Sequence, residues 1–139
     1  INGKEYTVVR ITGNTEKKEF ESVALPNSLI EIGNFAFYNC ECLKEIKIPN
    51  SVKSIGNVTF YRCSRLKEID IPDSVESIGD RAFKYCSSLQ TVIIPNSVKS
   101  IGNEAFKDCS SLQTVIIPNS VESIGEKAFE GTPWEKNKQ

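Results

Sequence analysis

The sequence predicts an α/β solenoid in which 23-residue coils stack on one another, each with two short strands and a short helical turn. Proline, glycine and phenylalanine all recur at a step of 23 residues, and this shared period is the basis of the prediction. The three columns are Pro26, Pro49, Pro72, Pro95 and Pro118; Gly33, Gly56, Gly79, Gly102 and Gly125; and Phe37, Phe60, Phe83, Phe106 and Phe129. Such small units bury their apolar sides only by stacking.

One unit, residues 43–63, contains every element of the coil. Its apolar positions are, in chain order, Leu43, Ile46, Ile48, Val52, Ile55, Phe60 and Cys63. The first three have the spacing of a short strand, which Pro49 ends, and the turn formers after the proline lead into a second extended piece. The glycine that follows suits a positive φ or a close approach of two backbones.

The residue after each glycine predicts the helical turn. Four of the five units have Asn or Asp at this position, and both are strong helix N-caps. The five residues are Asn34, Asn57, Asp80, Asn103 and Glu126. Phenylalanine, preceded by alanine in four copies, then fills the wide end of the coil.

The repeated run resembles a known family of repeat proteins. From Leu66 to Cys86 it reads L-x-x-I-x-I-P-x-S-V-x-x-I-G-x-x-A-F-x-x-C, and this pattern is similar to the BspA-like subfamily of leucine-rich repeat proteins. The resemblance covers residues 20–132. It implies a right-handed solenoid, a bacterial surface or secreted location, and a role in adhesion or protein–protein contacts.

We expect a single solenoid domain over residues 1–139. Residues 1–19 form a degenerate first coil or an N-terminal cap, with a strand at 6–11, or else the truncated end of a longer array. Residues 20–132 are repeats, and 133–139 are a C-terminal cap and tail, in which Pro133 and Trp134 cover the last coil. Because the chain opens at Ile1 rather than Met and shows no signal peptide, we expect a mature or excised fragment.

The composition argues against several classes of function. A net charge of −1 gives no global field for nucleic acid or an anionic membrane. No apolar run approaches the roughly 20 residues of a membrane span. Histidine is absent, which removes the most common general base and metal ligand. With no catalytic triad, phosphate loop or calcium loop either, we expect a monomer that is not an enzyme and has no catalytic residue, cofactor or metal.

The five cysteines are interpreted as structural. Four of them, Cys40, Cys63, Cys86 and Cys109, keep the 23-residue step in an apolar column. Buried thiols of this kind act as small hydrophobes, so a reduced ladder is expected, although stacked cysteines could also lie near disulfide distance. Cys40-x-Cys42 is too tight for a usual zinc pair. Cys42 is outside the column, and a labile exposed thiol there is the alternative interpretation.

The second strand has an outward column of alternating charge. Its members are Ile30, Lys53, Glu76, Lys99 and Glu122. Neighbouring strands are about 4.8 Å apart, so opposite charges would face each other and contribute about 0.2–1 kcal/mol per pair. We interpret the column as setting the register of a solvated face. A binding strip for a charged partner is the alternative.

The first strand is expected to form the concave face, and its outward columns predict a candidate binding site. The columns are Ala24, Lys47, Asp70, Ile93 and Ile116; Ser22, Glu45, Glu68, Thr91 and Thr114; and Glu21, Lys44, Lys67, Gln90 and Gln113. The middle coils are charged, whereas the last two are apolar. An exposed apolar patch rimmed by polar groups is a usual mark of a protein-binding site, although β-propensity and duplication of one unit would also explain the isoleucines.

Two functions remain open from the sequence. The first is a scaffold that binds an unidentified protein or glycan through Gln90, Thr91, Ile93, Gln113, Thr114 and Ile116. The second is a structural spacer that presents another domain of a longer protein, which the near-identity of residues 89–101 and 112–124 favours.

Overall fold

The computed structural model describes the backbone of residues 10–11 and all of residues 19–138. In this part of the chain it has ten strands and one short helix. They are β1 (Arg10–Ile11), β2 (Ser22–Ala24), β3 (Glu31–Ile32), β4 (Glu45–Lys47), β5 (Ser54–Ile55), β6 (Ser77–Ile78), β7 (Thr91–Ile93), β8 (Ser100–Ile101), β9 (Thr114–Ile116), β10 (Ser123–Ile124) and α1 (Pro133–Lys136). The predicted stack of 23-residue coils is confirmed.

The second strands of successive coils form one continuous parallel sheet. Its order is β1-β3-β5-β6-β8-β10, and the register places Ser54 opposite Ser77 and Ile55 opposite Ile78. The glycines therefore lie in a file along the axis. A Cβ added to Gly79 would lie 2.5 Å from the carbonyl carbon of Gly56. Of the two predicted reasons for this column, close backbone approach is thus the one that applies.

The first strands pair less completely. β2 pairs with β4, and β7 pairs with β9. The coil between these two pairs contributes only one isolated bridge, from Glu68 to Thr91. The first-strand sheet is therefore split at the junction between the second and third of its five coils.

The core is a set of files in which each side chain packs on its own copies. Neighbouring phenylalanine rings in the column from Phe37 to Phe129 have centroids 5.0–5.3 Å apart and planes within 9° of parallel. Leu43, Leu66 and Leu89 are fully buried beside them. Each such side chain contributes about 1.5–3 kcal/mol through burial. The stack of coils is thus held by one continuous core.

The predicted helical turn in each repeat is wrong, and with it the α/β class. Backbone N–H groups in this segment alternate between two partners: Ala36 donates to Gly33 in its own coil, whereas Phe37 donates to Thr59 in the next coil. Phe35 and Asn39 have φ of 62° and 58°, in the left-handed region that a right-handed helix excludes. The repeats form a β-solenoid, and in the described residues the only helix is the four-residue α1.

The Asn and Asp column forms a hydrogen-bond ladder in place of the predicted helix caps. The Asn34 Oδ1 accepts the backbone N–H of Asn57 at 2.8 Å, and the Asn57 Oδ1 accepts that of Asp80 at 2.8 Å. The same bond continues from Asp80 to Asn103 and from Asn103 to Glu126. Each side chain therefore ties its coil to the next one.

The C-terminal residues pack against the last coil. The Thr132 hydroxyl accepts the N–H of Glu135 and caps α1. The ring of Trp134 lies 4.9 Å from that of Phe129 in an edge-on contact, as expected of a cap. At the other end, Arg10 and Ile11 pair with β3. The rest of the strand predicted at 6–11 lies outside the described residues, so the division of the domain into three parts stays a prediction.

Candidate functional site

The structure brings the six predicted site residues together on one surface. In β7 and β9, Val92 and Val115 point into the core, whereas the residues on either side of them point outward. Ile93 is 56% exposed and Ile116 is 52% exposed. Their outward orientation, predicted from strand alternation, is confirmed.

Pairing of the two strands makes these residues one patch. Thr91 lies opposite Thr114, and Ile93 lies opposite Ile116, on strands that are about 4.8 Å apart. The Gln113 N–H donates to the Gln90 carbonyl at 3.0 Å, which holds the two exposed glutamines at the edge of the patch. We call these six residues, Gln90, Thr91, Ile93, Gln113, Thr114 and Ile116, the apolar patch. That they bind a ligand stays a prediction.

A charged groove adjoins the apolar patch. It has a volume of about 910 Å³. Its charged lining residues are Lys44, Glu45, Lys47, Arg65, Lys67, Glu68 and Asp70, and it extends to Thr91 and Ile93. The columns of the sequence contained all of these residues except Arg65, but the groove lies where the sheet is split, which the repeat period does not reveal.

Like charges face each other where the first-strand sheet is split. Glu45 and Glu68 occupy the same column in neighbouring coils, as do Lys44 and Lys67. Like charges directly opposite on paired strands are destabilising, whereas the register further along places neutral Thr91 beside Thr114. The Lys44 Nζ lies 3.0 Å from the Glu21 Oε1. Lys67 lines the groove. The like charges of the second and third coils thus oppose pairing of their first strands, whereas Lys47 and Asp70, in the outermost column, carry opposite charges.

The alternating column on the second strand is exposed, as predicted. Glu76 donates its N–H to the Lys53 carbonyl at 2.8 Å, and Lys99 donates to that of Glu76 at the same distance. Within residues 19–138, no side-chain ion pair within 4.0 Å joins members of this column. The hydrogen bonds that join neighbouring members of this column are therefore those of the backbone.

A row of tyrosines with an arginine is a feature that the sequence analysis missed. The rings of Tyr38 and Tyr61 stack with centroids 5.3 Å apart, and Tyr85 meets Tyr61 edge-on at 5.4 Å. The Arg62 guanidinium lies 5.2 Å from the centre of the Tyr85 ring. The repeated columns of the sequence do not reveal this row, because Tyr85 follows Tyr61 by one residue more than the 23-residue period.

Glu104 links its coil to the preceding one through ion pairs with Lys84 and Arg81. Its carboxylate is 2.7 Å from the Lys84 Nζ and 3.0 Å from the Arg81 Nε. Hydrogen bonds from Lys84 first, and from Arg81 second, lower the pKa of Glu104 to about 2. A hydrogen bond to Glu130 likewise raises the pKa of Lys107. These contacts are explained by the stacking of coils.

The cysteine column is a buried ladder of thiols, as predicted. The Cys86 Sγ lies 3.1 Å from the Phe60 carbonyl oxygen, and the Cys109 Sγ lies 3.1 Å from that of Phe83. None of the five cysteines is in a disulfide. Burial raises the pKa of the Cys86 thiol well above its ordinary value, which keeps it protonated and unreactive. Cys42 is half-buried, and its reactivity stays a prediction.

The described residues contain neither a metal-binding cluster nor a membrane-spanning helix. Residues 19–138 contain no cluster of three or more acidic or cysteine side chains placed to hold a metal ion. In the same part of the chain, no helix has the length and apolar character needed to cross a membrane.

Three solved structures share the fold. The T. pallidum Leucine Rich Repeat protein is 37% identical with a TM-score of 0.78, and the match covers 81% of this chain and 55% of that one. A leucine-rich repeat protein from Bacteroides ovatus is 36% identical with a TM-score of 0.77, covering 92% and 39%. A leucine rich cell surface protein from Faecalibacterium prausnitzii is 31% identical with a TM-score of 0.61, covering 89% and 41%. The chain thus spans 39–55% of their lengths.

The family follows from the sequence match together with these structures. A search of curated protein sequences gave no match. The family model of the BspA type Leucine rich repeat region matches residues 15–134 with six copies, which is most of the chain. The structure agrees with this match, because its coils repeat with the glycine file and the stacked phenylalanines described above. The protein belongs to the BspA type leucine-rich repeat family.

Proposed function

We propose that this chain is a non-catalytic scaffold that binds another macromolecule, a protein or a glycan, through its first-strand face. The observation that carries the proposal is the apolar patch, in which Ile93 and Ile116 are more than half exposed on a rigid sheet. Their equivalents in the second and third coils, Lys47 and Asp70, are charged, so the strand itself does not require isoleucine there.

The physical chemistry of the surface supports this proposal. Interfaces combine an apolar centre with a polar rim, and Thr91, Thr114 and the glutamines supply such a rim. The backbone under the patch is paired on both strands, so little conformational entropy is lost on binding. The charged groove beside it would select partners by complementary charge.

We extend the proposal to a bacterial surface or secreted location and a role in adhesion. The support is that the relative from Faecalibacterium prausnitzii is described as a cell surface protein, and that leucine-rich repeat solenoids are generally non-catalytic interaction modules. The proposal takes the chain to bind as a monomer.

The test changes the two isoleucines together. In the double variant Ile93→Lys, Ile116→Asp, the charges at positions 70, 93 and 116 alternate in sign, so no like charges are neighbours in this column. We expect loss of partner capture from host extracellular proteins, with the free energy of unfolding changed by less than about 0.5 kcal/mol, because both side chains are exposed. Capture is measured by pull-down on immobilised residues 1–139, and stability by urea denaturation.

Ile30→Asp is the matched control, since Ile30 is 48% exposed and directly precedes β3 of the other sheet. It should retain capture. Equal capture by the wild type and the double variant would contradict the proposal, and a large stability loss in the double variant would show that the isoleucines support the core.

A structural spacer is the second candidate function. Residues 89–101 and 112–124 differ only at Lys99 and Glu122, and such near-copies suit extension of an array for length. A spacer requires no ligand of its own. Specific capture of a partner by residues 1–139 alone would exclude it.

A further inference from the structure

An arginine lies beside two rings of the tyrosine row. The Arg62 guanidinium carbon is 5.8 Å from the centre of the Tyr61 ring and 5.2 Å from that of the Tyr85 ring. Arg62 is exposed, and both tyrosines are half-buried. Contact with aromatic rings orients a guanidinium and leaves the N–H groups at its edge able to donate to an oxyanion. We call Tyr38, Tyr61, Arg62 and Tyr85 the arginine–tyrosine row.

The charge of Arg62 is uncompensated, unlike that of the cations in the next coil. Arg81 and Lys84 both contact the Glu104 carboxylate. None of the ion pairs within 4.0 Å that join residues 19–138 includes Arg62. An exposed guanidinium with unused donors suits a carboxylate, which it binds through two parallel hydrogen bonds.

Stacking of the coils does not require this arginine. The equivalent residues in the other coils are Asn39, Tyr85, Asp108 and Gly131. All of them have positive φ, as Arg62 does at 59°, and the backbone N–H of Arg62 donates to the Lys84 carbonyl at 2.8 Å. The backbone is therefore alike in every coil, whereas the guanidinium is a feature of this coil alone.

The arginine–tyrosine row lies within the stack. Tyr61 and Arg62 belong to a coil that has a described coil on each side, at 33–42 and at 79–88. The geometry of the row is therefore set by stacked coils, away from both ends of the chain. None of its four residues lines the charged groove, so the row is a surface separate from the first-strand face.

The accessible parts of the row favour an acidic peptide over a glycan, because a sugar ring needs an open aromatic face on which to stack. The Tyr38 and Tyr61 rings stack on each other, and Arg62 lies beside Tyr61 and Tyr85. The Lys84 Nζ also lies 5.3 Å from the centre of the Tyr85 ring. The faces of these rings thus already have neighbours, and the guanidinium edge remains open. Tyrosine and arginine are, moreover, enriched among the residues that dominate the affinity of protein interfaces.

We propose that the arginine–tyrosine row is a second binding surface, which takes an acidic segment of a partner protein. A carboxylate of the segment accepts hydrogen bonds from the Arg62 guanidinium, and aliphatic parts of the segment pack against the ring edges of Tyr61 and Tyr85. Since the row is separate from the first-strand face, this inference does not rest on the function proposed for that face.

The probe is a hexaglutamate peptide with blocked ends, and its control is the hexaglutamine peptide of the same length. The side-chain Nε–H signal of Arg62 is followed in isotope-labelled residues 1–139 during titration with each peptide, and it is assigned by its loss in Arg62→Gln. We expect the glutamate peptide to shift this signal and to bind about tenfold more tightly than the glutamine peptide. The preference should fall at about 0.5 M salt, because the contact is exposed.

Two protein variants separate this surface from general attraction between charges. Arg62→Gln should weaken binding of the glutamate peptide about tenfold. Arg65→Gln is the matched control, because it removes the same charge from an exposed side chain that lines the groove instead, and it should weaken binding by less than about twofold. Both variants should unfold at the same urea concentration as the wild type, since both side chains are exposed.

Three results would overturn the proposal. The first is an unshifted Arg62 signal with the glutamate peptide, and the second is an equal loss of binding in Arg62→Gln and Arg65→Gln, which would indicate attraction to net charge alone. The third is an oligogalacturonate of similar length that binds at Arg62 more tightly than the glutamate peptide, because an acidic glycan would then be the occupant of the row.

Discussion

The inward and outward columns of the same coils follow different rules. Inward residues contact their own copies, as the stacked phenylalanines do at 5.0–5.3 Å, so one residue type is repeated in every coil. Outward residues such as Lys47, Asp70 and Ile93 occupy one column and share no chemistry. The difference teaches that stacking determines the interior of each coil, whereas the outer columns are free to change in charge and polarity from one part of the stack to another.

The largest expected effect is the loss of one inward ring. In Phe83→Ala, the ring removed lies between Phe60 and Phe106, at 5.1 and 5.0 Å from them. The coil cannot collapse around the cavity because both neighbours are held by their own hydrogen bonds. We expect the free energy of unfolding to fall by about 3–5 kcal/mol, measured by urea denaturation.

Tyr61→Ala is the matched control, because Tyr61 lies in a row of aromatic rings on the outside of the coil. It should cost clearly less than Phe83→Ala. If both substitutions had equal effects, the division between inward and outward columns would not hold for aromatic residues.

Loss of one rung of the asparagine ladder should have an intermediate effect. Asn57→Ala removes the acceptor of the Asp80 N–H, and the Asp80 carbonyl still accepts from Val58. Since water can reach this edge, the cost should be that of one hydrogen bond, about 0.5–1.5 kcal/mol. Amide hydrogen exchange provides the measurement: the Asp80 amide should exchange faster in the variant, whereas that of Asn103, one coil further, should be unchanged. Unaltered exchange at Asp80 would contradict a ladder function for the side chain.

The sequence was sufficient for the features that repeat and insufficient for those that do not. The repeated columns, such as that from Phe37 to Phe129, predicted the stack and the core, and strand alternation within one repeat predicted the outward direction of Ile93. The helical turn was predicted wrongly, since Asn34 and Asn57 are good N-caps in isolation but accept hydrogen bonds from the next coil here. The groove depends on which strands fail to pair, and the row at Tyr85 depends on a one-residue offset. Neither is a property of a single repeat.

A smaller effect should follow from changing one like-charged pair on the outer face. Glu68→Lys places opposite charges at the split, where Glu45 and Glu68 now share a column. We expect a gain of about 0.2–1 kcal/mol in the free energy of unfolding, and added protection of amides near 45–47 as the strands pair. At about 0.5 M salt, the same substitution should leave the free energy of unfolding almost unchanged, because exposed charges are then screened.

If the gain from Glu68→Lys persisted at high salt, electrostatic repulsion would not be the cause of the split. A tighter groove would also be expected to alter partner capture by the first-strand face, so the same variant connects the shape of the groove with its proposed use.

The smallest expected effect concerns pH and the ion pairs of Glu104. Its pKa in the folded protein is lowered to about 2, first by the hydrogen bond from Lys84, and an unfolded glutamate has a pKa of about 4.3. A lowered folded pKa means that the contribution is present above the unfolded value and is lost as the pH falls toward 2. Glu104→Gln should therefore be less stable than the wild type near neutral pH, and the difference should shrink between about pH 4.5 and 2.

The double variant with Lys84→Met tests the cause. If the lysine is the main partner, Glu104→Gln should lose most of its effect on stability in that background. A pH-independent difference in stability would show that Glu104 acts through packing. The ion pairs with Lys84 and Arg81 would then contribute nothing measurable to the stability of the stack.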